Sequence, residues 1–294
     1  MHQLSFCSSN PAFQFAGFHF SVQAFTFENL YEPDESTVEF QEDGTNCRFS
    51  CSALTWAGGQ ESCEGRVELV GKLENGCLRF CIKAYHPSEK IRCVKLTVQN
   101  IPKGTIAGLR QPALESDCKE VPEEGMILHY PNGFTELYTP LLILKQGENE
   151  YTYFRSLDQQ VRPKTFAVVP KGETCDVELI FEEDGRRFSH EIETPWWELG
   201  KSGDYEEIMR RQSQWIQDTY HLSKWEERKD VPDWAKDISL VASIHCQHWT
   251  GYTFNTYDDV LEKLAWLCER IEGKRILAYL PGWEGRYYYQ YGDM

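Results

Sequence analysis

The stretch that most constrains this chain is its last, from Val231 to Met294. Ile238 to Ile244 is a short, mostly apolar run without polar alternation, the pattern of a strand covered on both faces. Asn255 or Thr256 stands where a helix cap is needed, and Asp258 and Asp259 follow in a first turn that favours negative charge. Val260, Leu264, Leu267 and Ile271 then recur at helical steps, Gly273 is the expected stop, and Ile276 to Leu280 is a second apolar run. Strand, helix and strand at this spacing predict a βαβ unit with parallel strands. A parallel pair needs cover on both faces. A complete (β/α)8 barrel takes about 250 residues. The expectation is therefore the first βαβ unit of an incomplete, truncated barrel, in the front part of a larger protein.

Upstream, the pattern changes to short strands. Phe18, Phe20, Val22 and Ala24 alternate with His19, Ser21 and Gln23. Similar runs are read at 37–40, 46–54, 66–73, 77–85, 91–98, 125–130, 141–145, 151–156, 164–169 and 175–182. Glu42 to Thr45 and Glu74 to Cys77 each hold a turn pair (Asp43-Gly44 and Asn75-Gly76) and predict hairpins. With no helical period before Asp204, the fold class is mainly β: an antiparallel β-sandwich over residues 1–200. A linking helix and charged linker occupy 201–237, the helix presenting Tyr205, Ile208, Met209, Gln212, Trp215, Ile216 and Tyr220, and the barrel start occupies 238–294. The Trp196-Trp197 pair after Pro195 reads as a latch between domains or, less readily, as a sugar platform.

A formal charge of −16 argues against nucleic acid as partner, since that needs a basic face. No run approaches the roughly 20 apolar residues of a membrane helix, and no leader pattern is visible at the N-terminus. The 11 cysteines are scattered through strand-like runs, which fits small buried side chains in a reducing cytoplasm. Cys47/Cys51 and Cys77/Cys81 are each four apart, and a zinc site from these four is the competing reading. The expectation is no metal and no cofactor.

Three loops carry candidate ligand contacts or, more simply, packing: Ile106 to Pro112, His129 to Pro140 and Phe154 to Asp158. In a barrel, active sites lie at the C-terminal ends of the strands. Here those ends are His245-Cys246-Gln247-His248-Trp249 and Gly282-Trp283-Glu284. Imidazole donors, indole faces and a carboxylate suit an uncharged, hydroxyl-rich ligand. The candidate substrate-binding residues are Trp283, Glu284, His245, His248 and Trp249, with His245 also readable as an ordinary histidine satisfied by its own loop.

The phrases Gly133 to Leu141, Tyr151 to Ser156, Thr194 to Trp197, the Tyr205…Arg211…Trp215 helix and Arg228 to Trp234 resemble a group of bacterial glycoside hydrolases. These join an N-terminal supersandwich-like β-sandwich to a catalytic (β/α)8 barrel, in enzymes of the α-galactosidase and endo-α-N-acetylgalactosaminidase kind. The resemblance implies hydrolysis of O-glycosidic bonds by a carboxylate pair. It places that pair on strands beyond this sequence, so no catalytic residue is assigned and the chain is expected to be inactive alone. The implied partner is an oligo- or polysaccharide, with self-association through exposed barrel strands. The alternatives are a non-catalytic carbohydrate-binding sandwich and a protein-docking module.

Overall fold

The structure, a computed structural model, describes residues 10–109, 114–131 and 137–284. It divides into two compact units, Met1–Tyr220 and His221–Met294.

Among the described residues, the first unit holds seventeen strands in chain order. They are β1 (Phe13–Phe15), β2 (Phe18–Thr26), β3 (Leu30–Pro33), β4 (Glu39–Glu42), β5 (Asn46–Trp56) and β6 (Glu61–Glu74). Next come β7 (Cys77–Tyr85), β8 (Ile91–Pro102), β9 (Thr105–Ala107), β10 (Cys118–Lys119), β11 (Met126–Tyr130) and β12 (Leu141–Gly147). The last are β13 (Glu150–Ser156), β14 (Lys164–Lys171), β15 (Thr174–Glu182), β16 (Glu191–Glu193) and β17 (Trp197–Ser202). All pairings among them are antiparallel. One sheet runs β2-β8-β15-β14-β11, with β1 and β3 sharing the free edge of β2. The other runs β5-β6-β7, then β16 and β17, then β13-β12-β9-β10, with β3 and β4 on the outer edge of β5.

The inner faces of the two sheets share one core. Phe20 of the first sheet meets Phe80 of the second with ring centroids 6.2 Å apart, and Phe166 meets Trp197 edge-on at 5.6 Å. The alternation read in the sequence sets this up: Phe20, Val22 and Ala24 are buried along β2, and Leu78, Phe80, Ile82 and Ala84 along β7. Both predicted hairpins form. Glu74 pairs with Cys77 across Asn75 and Gly76, whose φ values of 52° and 73° are those of a primed two-residue turn matched to strand twist.

The tryptophan pair is where the structure departs most from the sequence reading. Trp197 opens β17, a strand between β7 and β13, and is 1% exposed in the core. Trp196, one residue earlier, lies outside with the Lys72 ammonium 5.2 Å from its ring. Trp197 is thus a core residue of the sandwich, and the sheet runs on to Ser202.

The first unit closes with helix α1 (Tyr205–Thr219), capped by Asp204, whose carboxylate accepts from the Glu206 amide. Tyr205 and Ile208 pack on Leu141, Ile143, Tyr151 and Tyr153 on the outer face of the second sheet. Beneath the helix lies a charged cluster centred on Glu198, whose side chain is wholly buried. Arg155 of β13 reaches it at 2.8 Å, Arg79 of β7 at 2.9 Å and Arg211 of α1 at 3.6 Å, while the Tyr153 hydroxyl donates to it at 3.3 Å. Arg155 also donates to the Arg211 carbonyl and to Gln212. Burial pushes the Glu198 carboxyl up, but Arg155, Arg79 and Arg211 outweigh it and hold the group below the usual carboxylate range.

The second unit contains α2 (Asp233–Lys236), β18 (Leu240–Ser243), α3 (Tyr257–Cys268) and β19 (Ile276–Tyr279). As expected, β18 and β19 are parallel, Leu240 opposite Ile276 and Ser243 opposite Tyr279, with α3 as the crossover. Thr256 is the cap of α3, in a capping box with Asp259. The helix ends at Cys268, ahead of the predicted stop at Gly273. Val260 and Leu264 pack against Ile244, Cys246 and Leu280, whereas Val241 (60% exposed) and Tyr279 (61%) stay open. Among the described residues no helix is long and apolar enough to cross a membrane.

Removing one partner of a buried, hydrogen-bonded ion pair costs about 3–5 kcal/mol. Glu198→Ala is therefore expected to lower the stability of the first unit by about that amount in urea unfolding at pH 7. A carboxyl depressed in the folded state stabilises above its unfolded pKa and loses that contribution as pH falls through the folded value. The gap between wild type and Glu198→Gln should therefore be full at neutral pH and shrink in acid, below about pH 4.

Candidate functional site

The C-terminal ends of β18 and β19 bring the five predicted residues onto two adjoining loops. After β18 the chain turns back on itself: Gln247 bridges to Thr253, the His248 amide donates to the Tyr252 carbonyl, and the Gly251 amide donates to the His248 carbonyl. The loop after β19 is tied to it by the Cys246 amide on the Pro281 carbonyl and the Gln247 amide on the Gly282 carbonyl. His245, His248 and Trp249 thus share one loop, and Trp283 and Glu284 lie on its neighbour.

The histidines differ in setting. The His245 ring donates through Nε2 to the Gln247 carbonyl at 3.2 Å and sits 5.0 Å from Phe254, so that nitrogen is engaged within its own loop. His248 accepts at Nδ1 from the Thr250 hydroxyl at 2.8 Å and weakly from the Thr250 amide. A neutral His248 ring therefore carries its hydrogen on Nε2. Its ring centroid is 5.2 Å from that of Trp249 and 5.8 Å from that of Phe254. Trp249, Tyr252, Phe254 and Trp283 each expose more than half their surface. Glu284 is half-buried, close enough to Cys246 to push that thiol up, after the larger effect of burial. The outcome is an aromatic ledge with imidazole and carboxylate groups along it. A ledge of this kind can stack the C–H face of a sugar ring and hydrogen-bond its hydroxyls.

Tyr252 and Phe254 escaped the sequence reading. Their signal was the aromatic alternation Tyr252-Thr253-Phe254 beside Gly251, a hairpin pattern inside what was read as plain connection.

Of the three sandwich loops, the one described throughout, Phe154 to Asp158, is packing, whereas in the second Tyr138 is 53% exposed. Phe154, Arg155, Ser156 and Asp158 are all buried, Asp158 held by Lys164 at 2.7 Å and Arg162 at 2.9 Å. Ile106, Ala107, Leu109 and Leu137 are buried as well, while Arg110 to Pro112 and Asn132 to Glu136 lie outside the described residues.

Strand register argues against the zinc alternative. Cys47 opposes Gly71, which opposes Phe80, so Cys47 and Cys51 face the core between the sheets. Cys77 and Cys81 alternate with Leu78, Phe80 and Ile82 and face the other side, Cys77 accepting from Arg211 at 3.0 Å and Cys81 lying against the Thr194 carbonyl. A single ion cannot be reached from both faces of a sheet. Among the described residues no three His, Cys, Asp or Glu side chains are grouped to hold a metal. Burial pushes the thiols of Cys47, Cys51 and Cys81 up to about 11.

No protein-family model and no curated protein sequence matches this chain. Solved structures do. The α-N-acetylgalactosaminidase NagBb from Bifidobacterium bifidum in complex with GalNAc superposes with a TM-score of 0.54 at 13% identity, over 94% of this chain and 49% of that one. Its complex with Gal-NHAc-DNJ gives a TM-score of 0.55 at 13% identity, over 92% and 48%. The likeness is one of fold, and this chain spans about half the length of that protein.

Thiol accessibility follows from the register. Cys118 and Cys268 are exposed, whereas Cys47, Cys51, Cys81 and Cys175 are buried. Alkylation of the native protein at pH 8, mapped by peptide mass, should label Cys118 and Cys268 promptly and Cys47, Cys51, Cys81 and Cys175 only after unfolding.

Proposed function

We propose that this chain provides the sandwich and the first two barrel strands of a glycoside hydrolase acting on α-linked galactose-type sugars, with N-acetylgalactosamine the first to try. The observation that carries the reading is the joint match. An antiparallel sandwich and a parallel βαβ pair follow each other in one chain, and the match to one glycosidase covers 94% of its length. A lectin sandwich has no need of the parallel pair.

Glycoside hydrolysis requires two carboxylates facing each other across the scissile bond. Glu284 is the acidic candidate on this ledge, and the reading gives it a hydroxyl-binding role with His245, His248, Trp249 and Trp283. The carboxylate pair is assigned to further strands of the barrel. The division of labour is then binding here and bond cleavage there, with an oligosaccharide as partner.

Incubation of the chain with 4-nitrophenyl α-N-acetylgalactosaminide and α-galactoside, alongside equilibrium binding of the same sugars, separates the two roles. Saturable binding without release of nitrophenol is expected. Turnover by the chain alone would put a catalytic pair among its own residues, and absence of both binding and turnover would remove the saccharide reading.

A further inference from the structure

The two loops of the ledge are held together by residues that the ledge itself does not expose as contacts. Gly282 has φ +72°, and a Cβ there would stand 2.0 Å from the Gln247 carbonyl oxygen and 2.9 Å from the Gln247 nitrogen. Only a glycine lets the two backbones come this close. Asn255 precedes the cap of α3 but does not cap it, since Thr256 does that. Its side-chain amide instead donates to the His245 carbonyl at 2.6 Å, and its backbone amide donates to the Cys246 carbonyl. Tyr257, in the first turn of α3, is 65% exposed, yet its hydroxyl donates to the Trp283 carbonyl. Each of the three binds the backbone of a loop rather than a neighbouring core group.

We propose that Asn255, Tyr257 and Gly282 are positioning residues that lock the His245–Trp249 loop and the Gly282–Glu284 loop into one prearranged binding surface for an uncharged pyranose. The inference rests on reading these strand ends as a saccharide site. The first turn of α3 is the anchor. Its start is fixed by the Thr256–Asp259 capping box, Asn255 carries that fix to the first loop, and Tyr257 carries it to the second. A loop already ordered before the ligand arrives does not have to lose its freedom on binding, so affinity gains without a new contact. The rings of Trp249 and Trp283 supply faces for stacking, and their separation is set by backbone hydrogen bonds and by the missing Cβ of Gly282.

The variants Tyr257→Phe and Asn255→Ala each delete one tie, and Gly282→Ala forces the loops apart. Hydrogen exchange of the full chain, its urea unfolding, and its affinity for N-acetylgalactosamine are read together. The expected result for Tyr257→Phe is faster amide exchange confined to Cys246–Phe254 and Trp283–Glu284, unchanged unfolding midpoints, and sugar affinity weaker by roughly three- to tenfold. Gly282→Ala should produce a larger loss of affinity in the same direction. Unchanged exchange in both loops for Tyr257→Phe and Asn255→Ala would overturn the proposal. So would a uniform rise in exchange across the second unit, which marks residues of the fold rather than of the site. If the wild-type chain does not bind N-acetylgalactosamine, the saccharide reading fails, and the exchange pattern still decides whether the three residues tie the loops.

Discussion

A β-strand sends successive side chains to opposite faces, and most of what this protein does structurally follows from which face each residue takes. In the sandwich the rule makes one core: inward residues of β2, β7, β8 and β15 meet between the sheets, and outward residues meet solvent or α1. It also separates Trp196 from Trp197 and sets Cys47 and Cys51 on the opposite side of the sheet from Cys77 and Cys81. Where an outward face is itself covered, as beneath α1, polar groups have to be satisfied in place. Glu198 with Arg79, Arg155 and Arg211 does this, tying the helix to three strands through one carboxylate.

The same rule exposes what is particular about the second unit. A parallel pair has two faces, and α3 covers one of them through Val260 and Leu264. Val241, Leu277 and Tyr279 remain largely exposed. In a closed barrel those positions are the interior, filled by side chains from other strands. The strand ends, by contrast, are finished: their loops are cross-tied and carry an aromatic ledge. Under the proposed function, further barrel strands would fill the uncovered faces while the ledge at the strand ends is already tied.

Much of this was legible in the residues. Alternation from Phe18 to Ala24 located the first long strand, and Asn75-Gly76 located a hairpin through its demand for positive φ. The helical step through Val260 and Leu264 and the apolar runs around it gave the parallel unit. What escaped had physical reasons. β3, β9, β10 and β16 have four residues or fewer, too short for periodicity to show. β17 follows Pro195 and Trp196 and opens on Trp197, and the large surface of the two tryptophans suggested an interface, although alternation sends one of them into the core. Spacing alone put each cysteine pair on one face of its strand but was silent on whether the two faces were the same, because that depends on register between strands. The candidate site residues were chosen by position on the strands, whereas the ties made by Asn255, Tyr257 and Gly282 depend on backbone groups that no side-chain pattern announces.

The proposed function puts β18 and β19 in a larger barrel, beside a sandwich with a hydrophobic core of its own. Native-state hydrogen exchange on the chain tests it most directly, since protection reports local opening free energy. The account predicts that amides of Leu240–Ser243 and Ile276–Tyr279 exchange orders of magnitude faster than those of the sandwich core, such as Val94–Val98 and Val177–Phe181. Equal protection in both sets would mean that the parallel pair is a finished unit in its own right. The barrel reading, and with it the proposed hydrolase, would then be contradicted.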